Sequence, residues 1–482
     1  MLRNQNRKKM NLYPFDEFEE QNDAKNDDNN KNDDINRLNE IFRDSFANSG
    51  NLETIEELAN YYFERDRFEE AHYFLDLLIE HLPYNPEYWI KKGMLYNNQG
   101  KFEEALQCYD EASKLNPIDT ELYLNYGITY GNIGALEKSI EYLDKILEIN
   151  EDNYEAIFHK GVTYQKMGAY EEAIDMFNTL IEKNQMVKDA LYELGFCYDL
   201  MNELDEAIKC YDRYIEIDPY NYTVWYNRGI ILSRQGKFYS AIESYDYALS
   251  IKSDFSSAWY NKGNAYTILL RFHQAIEAYK EVLKLEPYDV STLHNLGNAF
   301  LEIDDIENAI NCFNQSIKID PTNYESYYGL GCCYDYQEKY RKALTQYKKA
   351  IAIYPDSANI WYAKADTEYN LGKISDALTS YRMAIKLDSY NAELWLDYAD
   401  TLFEAGMVEE SLDAINNAIK NSNNFALAFY EKARILYFGL NEVEEAVMLL
   451  QKAFNLDSSL VQSFYIDFAE AKYKAEFKNL IN

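Results

Sequence analysis

The sequence predicts an all-α chain, a solenoid of tandem helix–turn–helix repeats, and three periodic observations predict it. A small residue recurs every 34 positions: Ala59, Gly93, Gly127, Gly161, Gly195, Gly229, Gly263, Gly297, Gly331, Ala365, Ala399 and Ala433. Four residues before each stands a large apolar side chain, and all five tryptophans (Trp89, Trp225, Trp259, Trp361, Trp395) share this one phase. Twelve residues after each comes a second small residue, from Ala71 through Ala105, Ser139 and Ala173 to Ser411, with an apolar residue such as Leu75, Tyr109 or Tyr279 four further on. A period of this length means stacked supersecondary units, each touching only its neighbours.

Each unit reads as two helices. Spacings of three, four and seven gather the aromatic and small residues onto one helical face. Glycine inside a helix costs roughly 1 kcal/mol against alanine. Its return eight times at one phase implies close packing of the second helix against that spot. Gly100 and Gly372 supply a left-handed residue that ends the first helix. Asn116-Pro117 and Asp320-Pro321 stop the second helix before its successor.

Stretches such as Trp259-Tyr260-Asn261-Lys262-Gly263-Asn264-Ala265-Tyr266 resemble the tetratricopeptide repeat (TPR) pattern W-x2-L-G-x2-Y, followed by A-x3-F and P. The resemblance covers residues 52–460 as twelve TPR repeats, and it implies a right-handed superhelical α-solenoid. One residue is inserted in the last unit, where the alanine arrives at Ala446. Glu368 departs from the pattern by standing where an aromatic is expected, and several units lack the proline.

The ends differ from the middle. Residues 1–34 carry a polar, acidic run with few aliphatics and read as a disordered arm. Ile35, Leu38, Ile41, Phe42 and Phe46 make an apolar stripe, read as a capping helix over 35–51. Leu460, Phe464, Phe468, Ala471 and Phe477 mark a second capping helix over 461–482. Exposed ends of repeat arrays need such covers.

With 82 acidic against 47 basic residues the formal charge is −35 at pH 7. That argues against nucleic acid, whose backbone calls for a basic stripe, and against an anionic membrane surface. No apolar run approaches the ~18 residues of a membrane helix, and the start lacks a secretory h-region. The expected location is cytoplasmic.

Little in the chain suggests catalysis. Cys108, Cys210 and Cys312 share one repeat phase and Cys197 and Cys333 another; thiols at packing phases act as small apolar side chains. The adjacent pair Cys332-Cys333 has the wrong spacing for zinc. The five histidines fall in different phases, without phosphate loop or metal-binding helix motif. We expect no enzyme, no cofactor and no metal.

In TPR arrays the first helix of each unit faces the concave side, and the resemblance implies that ligands lie along it. Three residues before the small position the chain places Tyr192, Tyr226, Tyr260, His294, Tyr328 and Tyr362. One residue later come Asn227, Asn261 and Asn295, and just past the small position Asn264 and Asn298. Asparagine amides both donate and accept, so a ladder of them suits the backbone of an extended peptide. Tyrosines add apolar faces with a polar tip. The same residues also occur in the family consensus, so part of the stripe reads as inheritance. Glu53, Glu87, Glu121, Glu155 and Asp189 recur near helix starts, where they suit the helix dipole. The basic half of the TPR clamp for acidic carboxyl tails is missing: Lys166, Arg234 and Arg434 do not fall in consecutive units. The expected function is a non-catalytic protein-interaction scaffold that binds a peptide or protein segment, basic or extended in character, in the groove. The alternative is an assembly or regulatory subunit acting through its convex face, its ends or self-association. Composition says nothing about oligomeric state.

Overall fold

The structure, a computed structural model, describes residues 52–469 together with residues 477 and 480. The expected arm at 1–34 and capping helix at 35–51 lie outside the described residues, as does most of 470–482. The described residues form helices and turns, without strands, in two compact units, one up to Glu203 and one from Leu204. In the first, helices run Leu52–Phe63, Phe68–His81, Pro86–Asn98, Phe102–Leu115, Thr120–Ile133, Leu136–Ile149, Tyr154–Met167, Tyr170–Glu182 and Val187–Leu200. In the second, Leu204–Ile217 precedes the pairs Tyr222–Arg234 with Phe238–Ile251, Ser256–Ile268 with Phe272–Leu285, and Val290–Glu302 with Ile306–Ile319. Tyr324–Tyr336 with Tyr340–Ile353, Ala358–Asn370 with Ile374–Leu387, Ala392–Glu404 with Val408–Asn421, and Ala426–Ile435 with Val443–Leu456 follow, then Leu460–Asp467. This is the α-solenoid that the period implied. No helix among the described residues is long and apolar enough to cross a membrane.

The recurring glycine has a steric cause. A Cβ on Gly263 would lie 2.6 Å from Cε1 of Tyr279, and one on Gly229 would lie 2.5 Å from Cε1 of Tyr245. Gly297 meets Phe313 and Gly161 meets Phe177 in the same way. In each case the aromatic ring of the second helix lies against bare backbone of the first. These rings are among the most deeply buried side chains of the chain, Tyr245 and Tyr279 each 1% exposed.

The tryptophans do a different job from filling that contact. Each is only half-buried and donates its indole N–H to the carbonyl six residues earlier, in the loop that joins two repeats. Trp225 reaches Pro219 O at 2.9 Å, Trp259 reaches Ser253 O at 3.0 Å and Trp361 reaches Pro355 O at 2.8 Å. Trp89 and Trp395 repeat the bond, and Tyr123 replaces it with a hydroxyl to Pro117 O. One side chain therefore satisfies a loop carbonyl and holds the angle between consecutive repeats.

In four repeats an ion pair links a second helix to the next first helix. Lys92 pairs with Asp76, Lys160 with Asp144, Arg228 with Asp212 and Lys262 with Asp246, at 2.5 to 2.6 Å. Pairs this exposed contribute little stability, roughly 0–1 kcal/mol each, so their main effect is on register. This pairing explains Glu368. At the position sixteen before Lys364 stands Lys348 instead of an acid. Lys364 turns to the buried carboxylate of Glu368 at 2.8 Å, which also accepts from Ser380 Oγ at 2.6 Å.

The turn between the two helices holds a left-handed residue seven positions after the small residue in nearly every unit. Gly100, Gly134, Gly168, Gly236, Gly372 and Gly406 take it, but so do Asp66, Asn202, Leu270, Asp304 and Glu338. In the last unit it falls eight positions on, at Asn441, because a π-helical turn over Leu436–Leu440 takes up the inserted residue. Helix Ala426–Ile435 thereby reaches the same turn with one residue more.

At the carboxyl end the expected helix over 461–482 is described only as Leu460–Asp467, with Phe468 leaving helical geometry at φ −106°. Phe464, Phe468, Phe477 and Leu480 nevertheless bury against Phe429, Tyr430 and Phe454 of the last repeat.

Two substitutions test this account. Gly263→Val drives a side chain into the Tyr279 ring and is expected to destabilise the neighbouring repeats by more than about 1 kcal/mol in urea melts; unchanged melting would contradict the contact. Leu270→Gly relieves a leucine held at φ 57° and 62% exposed, and is expected to stabilise by roughly 0.5–1 kcal/mol.

Candidate functional site

Within each unit, first helices of successive repeats touch one another, as Pro86–Asn98 touches Thr120–Ile133 and Val290–Glu302 touches Tyr324–Tyr336. Among the described residues, second helices make no comparable contact with second helices. A stack joined on one side curves toward that side, so the first helices line the concave face of their unit.

On these helices the residues at minus three, minus two, plus one and plus four from the small position follow one another at helical spacing and form a single stripe. Tyr226, Asn227, Tyr260, Asn261, Asn264, His294, Asn295, Asn298, Tyr328 and Tyr362 all lie in the second unit and are half-buried. Tyr192 is equally half-buried but belongs to the first unit, on Val187–Leu200.

These side chains are joined across repeats. Asn261 Nδ2 donates to the Tyr226 hydroxyl at 3.0 Å, and Asn295 Nδ2 donates to the Tyr260 hydroxyl at 3.1 Å. Tyr362 repeats the link by donating to Asp397. Asn295 also approaches Asn264 Oδ1 at 3.3 Å. The amides are thus partly engaged in holding one repeat to the next, which spacing alone does not show.

In three repeats of the second unit the tyrosine that packs on the small residue also reaches this floor. Tyr279, pressed on Gly263, donates its hydroxyl to Asn264 Oδ1 at 2.7 Å. Tyr381 does the same to Asp366 at 2.6 Å, and Tyr347 donates to Asp335 Oδ2 at 2.5 Å. Phe313 fills the same packing place without a hydroxyl, and there Asn298 Nδ2 turns to His294 Nε2 at 2.8 Å.

Toward the carboxyl end the stripe changes character. At the phases that hold asparagine in earlier repeats stand Asp366, Asp397, Asp400 and Glu431, with Asp335 at plus four. The asparagine and tyrosine pattern alone does not mark these carboxylates, although they continue its phases. Arg434 pairs with Asp400 and with Glu431. Asp335, Asp366 and Asp397 have hydroxyl partners, Tyr347 and Thr367, Tyr381, and Tyr362 respectively. Among the described residues no cation pairs with these three. Burial pushes all three above the ordinary carboxylate range, Asp366 to about 7 despite the hydrogen bond from Tyr381.

The cysteines that share repeat phases are packed inside. Cys108, Cys197, Cys210, Cys312 and Cys333 are buried, and burial pushes the Cys108, Cys197 and Cys312 thiols up to about 11.

Tetratricopeptide repeat models match residues 86–119, 120–153, 155–184, 189–221, 210–243, 256–289 and 362–426. The chain belongs to the tetratricopeptide repeat family. A model described as anaphase-promoting complex, cyclosome, subunit 3 matches residues 302–384, so this part of the TPR array is similar to that subunit. Among curated proteins none matches. The solved structures that resemble the array include YrrB, a TPR protein with an unusual peptide-binding site, at 21% identity over 40% of this chain and 98% of that one, with a TM-score of 0.36. The APC/C hetero-tetramer Cut9–Hcn1 aligns over 90% of this chain and 96% of that one at 11% identity, with a TM-score of 0.43. Yeast Tom70 aligns over 80% and 95% at 16% identity, with a TM-score of 0.40.

The half-buried carboxylate of Asp366 gives the TPR array a pH signature. Its folded-state pKa of about 7 lies above the ordinary 3.8, so the folded form holds the proton more tightly. The stabilisation is complete below pH 4 and is lost as pH rises toward 7. Urea melts are expected to show a loss of roughly 2–3 kcal/mol in these repeats between pH 5 and pH 7. Asp366→Asn should flatten that dependence, and a variant as pH-sensitive as wild type would refute the assignment.

Proposed function

We propose that the chain is a non-catalytic scaffold and that the concave floor of its second unit holds an extended, basic segment of a protein partner. The observation that carries this reading is the continuous stripe whose amides give way to carboxylates lacking a cationic partner. Tyrosine faces in most of these repeats suit an extended chain's side chains, and amide groups suit its backbone whatever its sequence. A lysine or arginine set against Asp366 or Asp397 supplies the charge that these half-buried carboxylates lack, and its hydrogen bonds there are the strong, charge-assisted kind. The net charge of −35 favours the approach of a basic partner from a distance. Nucleic acid and anionic membrane surfaces are disfavoured by the same charge.

A second reading has one observation of its own. Ile466 is 76% exposed and Met448 66% exposed near the carboxyl end, which suits an assembly subunit acting through its ends.

The test uses a displayed library of 12-residue peptides against the full chain, followed by affinity measurement on the selected sequences. Lysine- and arginine-bearing extended peptides are expected to emerge, with binding that weakens at high salt. The pair Asp366→Asn with Asp397→Asn should lower affinity at least ten-fold while keeping the fold. Asn261→Ala with Asn295→Ala should also weaken binding, and by losing two inter-repeat bonds should cost about 0.5–1.5 kcal/mol of stability for each. Peptides held equally by wild type and both variants would move the function off the groove.

A further inference from the structure

His294 interrupts a tyrosine series. Tyr226, Tyr260, Tyr328 and Tyr362 hold its phase in the flanking repeats of the second unit, so histidine is the one member whose charge changes in mild acid. Its two nitrogens are engaged on opposite sides. Nε2 lies 2.8 Å from Asn298 Nδ2, and Nδ1 lies 3.5 Å from Ser326 Oγ, which in turn is 2.7 Å from Ser316 Oγ. An amide N–H pointing at Nε2 requires a lone pair there. The neutral ring therefore carries its proton on Nδ1, toward the buried serine pair.

We infer that His294 is a proton-operated switch in the groove floor: protonation at Nε2 sets two donors against each other and turns the Asn298 amide over. This rests on the groove reading above, because Asn298 lies on the floor where a bound chain would run. Before the turn one N–H of the Asn298 amide is given to His294, which leaves its carbonyl oxygen and second N–H for other partners. Afterwards the oxygen accepts from His294 and only N–H donors face outward. A positive charge is added to the floor at the same step. Both changes oppose a basic extended segment, so acidification weakens its hold.

The groups around the ring are mostly uncharged. Phe313 lies against it with ring centroids 5.7 Å apart, Ser326 and Ser316 close the inner side, and Asn298 lies on its own helix. The charge that acts on it is the Glu325 carboxylate, on the same helix as Ser326, and it favours the imidazolium. Burial acts in the opposite sense and prevails, so the ring gains its proton below the ordinary histidine value of 6.5. Asp366 is a second group of the floor that titrates near neutrality, and it lies two repeats further on.

The experiment follows the ring nitrogens of histidine and the side-chain amides of asparagine by nitrogen-15 NMR in the full chain between pH 8 and pH 5. At pH 8 Nε2 of His294 should be the unprotonated nitrogen. The Asn298 amide signals should move with the same midpoint as His294, below pH 6.5. Glu325→Gln should lower that midpoint, and Asp366→Asn should leave it in place. His294→Tyr, which restores the residue used in the flanking repeats, should leave the Asn298 amide still across the range; His294→Phe serves if the tyrosine variant folds poorly. A proton on Nε2 at pH 8, or an Asn298 amide that ignores the His294 midpoint, would overturn the switch. None of these readouts involves a ligand, so the switch fails or holds independently of peptide binding.

Discussion

The structure depends on one contact, a large apolar side chain of the second helix, in most repeats an aromatic ring, laid against bare backbone of the first. It dictates the glycine, since a Cβ at Gly263 or Gly229 would penetrate the ring. It also sets how close the two helices come, and so the rise of the array per repeat. Where alanine takes the place, as at Ala365, the facing ring is Tyr381 and remains 2% exposed, so the contact admits a methyl group once the pair has been built around it. The same ring supplies function as well as packing. In Tyr279, Tyr347 and Tyr381 its hydroxyl emerges beyond the first helix to bond Asn264, Asp335 and Asp366 on the concave floor. Core and groove are therefore not independent layers, and a tyrosine chosen for packing also orients the polar groups of the floor.

Three lesser devices align the repeats. The indole of each tryptophan closes on the loop carbonyl six residues back, the ion pairs between second and following first helices set the register, and the Tyr–Asn links cross the groove floor. None is worth much alone, but each recurs, and in a linear array recurrence sums. The exceptions follow the same logic. Lys364 loses its usual acid to Lys348 and recovers one within its own helix in Glu368. The inserted residue of the last unit disappears into a π turn, which leaves the next helix in place. Repeat proteins tolerate local departures when the geometry presented to the neighbour is preserved.

The floor carries two kinds of polarity in sequence. Its middle repeats present amides partly engaged with tyrosine; its later repeats present carboxylates, of which Asp400 and Glu431 are answered by Arg434 while Asp335, Asp366 and Asp397 have only hydroxyl partners. A buried carboxylate without a cation raises its pKa instead of remaining charged. Carboxylates in that condition gain most from a cation brought by another molecule. His294 adds a titratable point where the series of tyrosines breaks.

The sequence by itself determined the helices, their pairing and the family, because a 34-residue period with small and large residues at fixed helical offsets marks paired helices packed on their neighbours. It also determined which phases share a face, since helical spacing is fixed by backbone geometry, and the stripe from Tyr226 to Tyr362 was legible for that reason. Only the tertiary structure decided what those side chains do with their polar atoms. The bonds from Asn261 to Tyr226 and from Asn295 to Tyr260 join residues 35 apart, a pairing set by how one repeat leans on the next and not by any local preference. The tryptophan clamp is of the same kind, for a large apolar residue at that phase reads equally well as filler. The carboxylates of Asp335, Asp366 and Asp397 were visible as acids among 82 others. What marks them is burial beside hydroxyls in place of cations, and burial is a property of the assembled array.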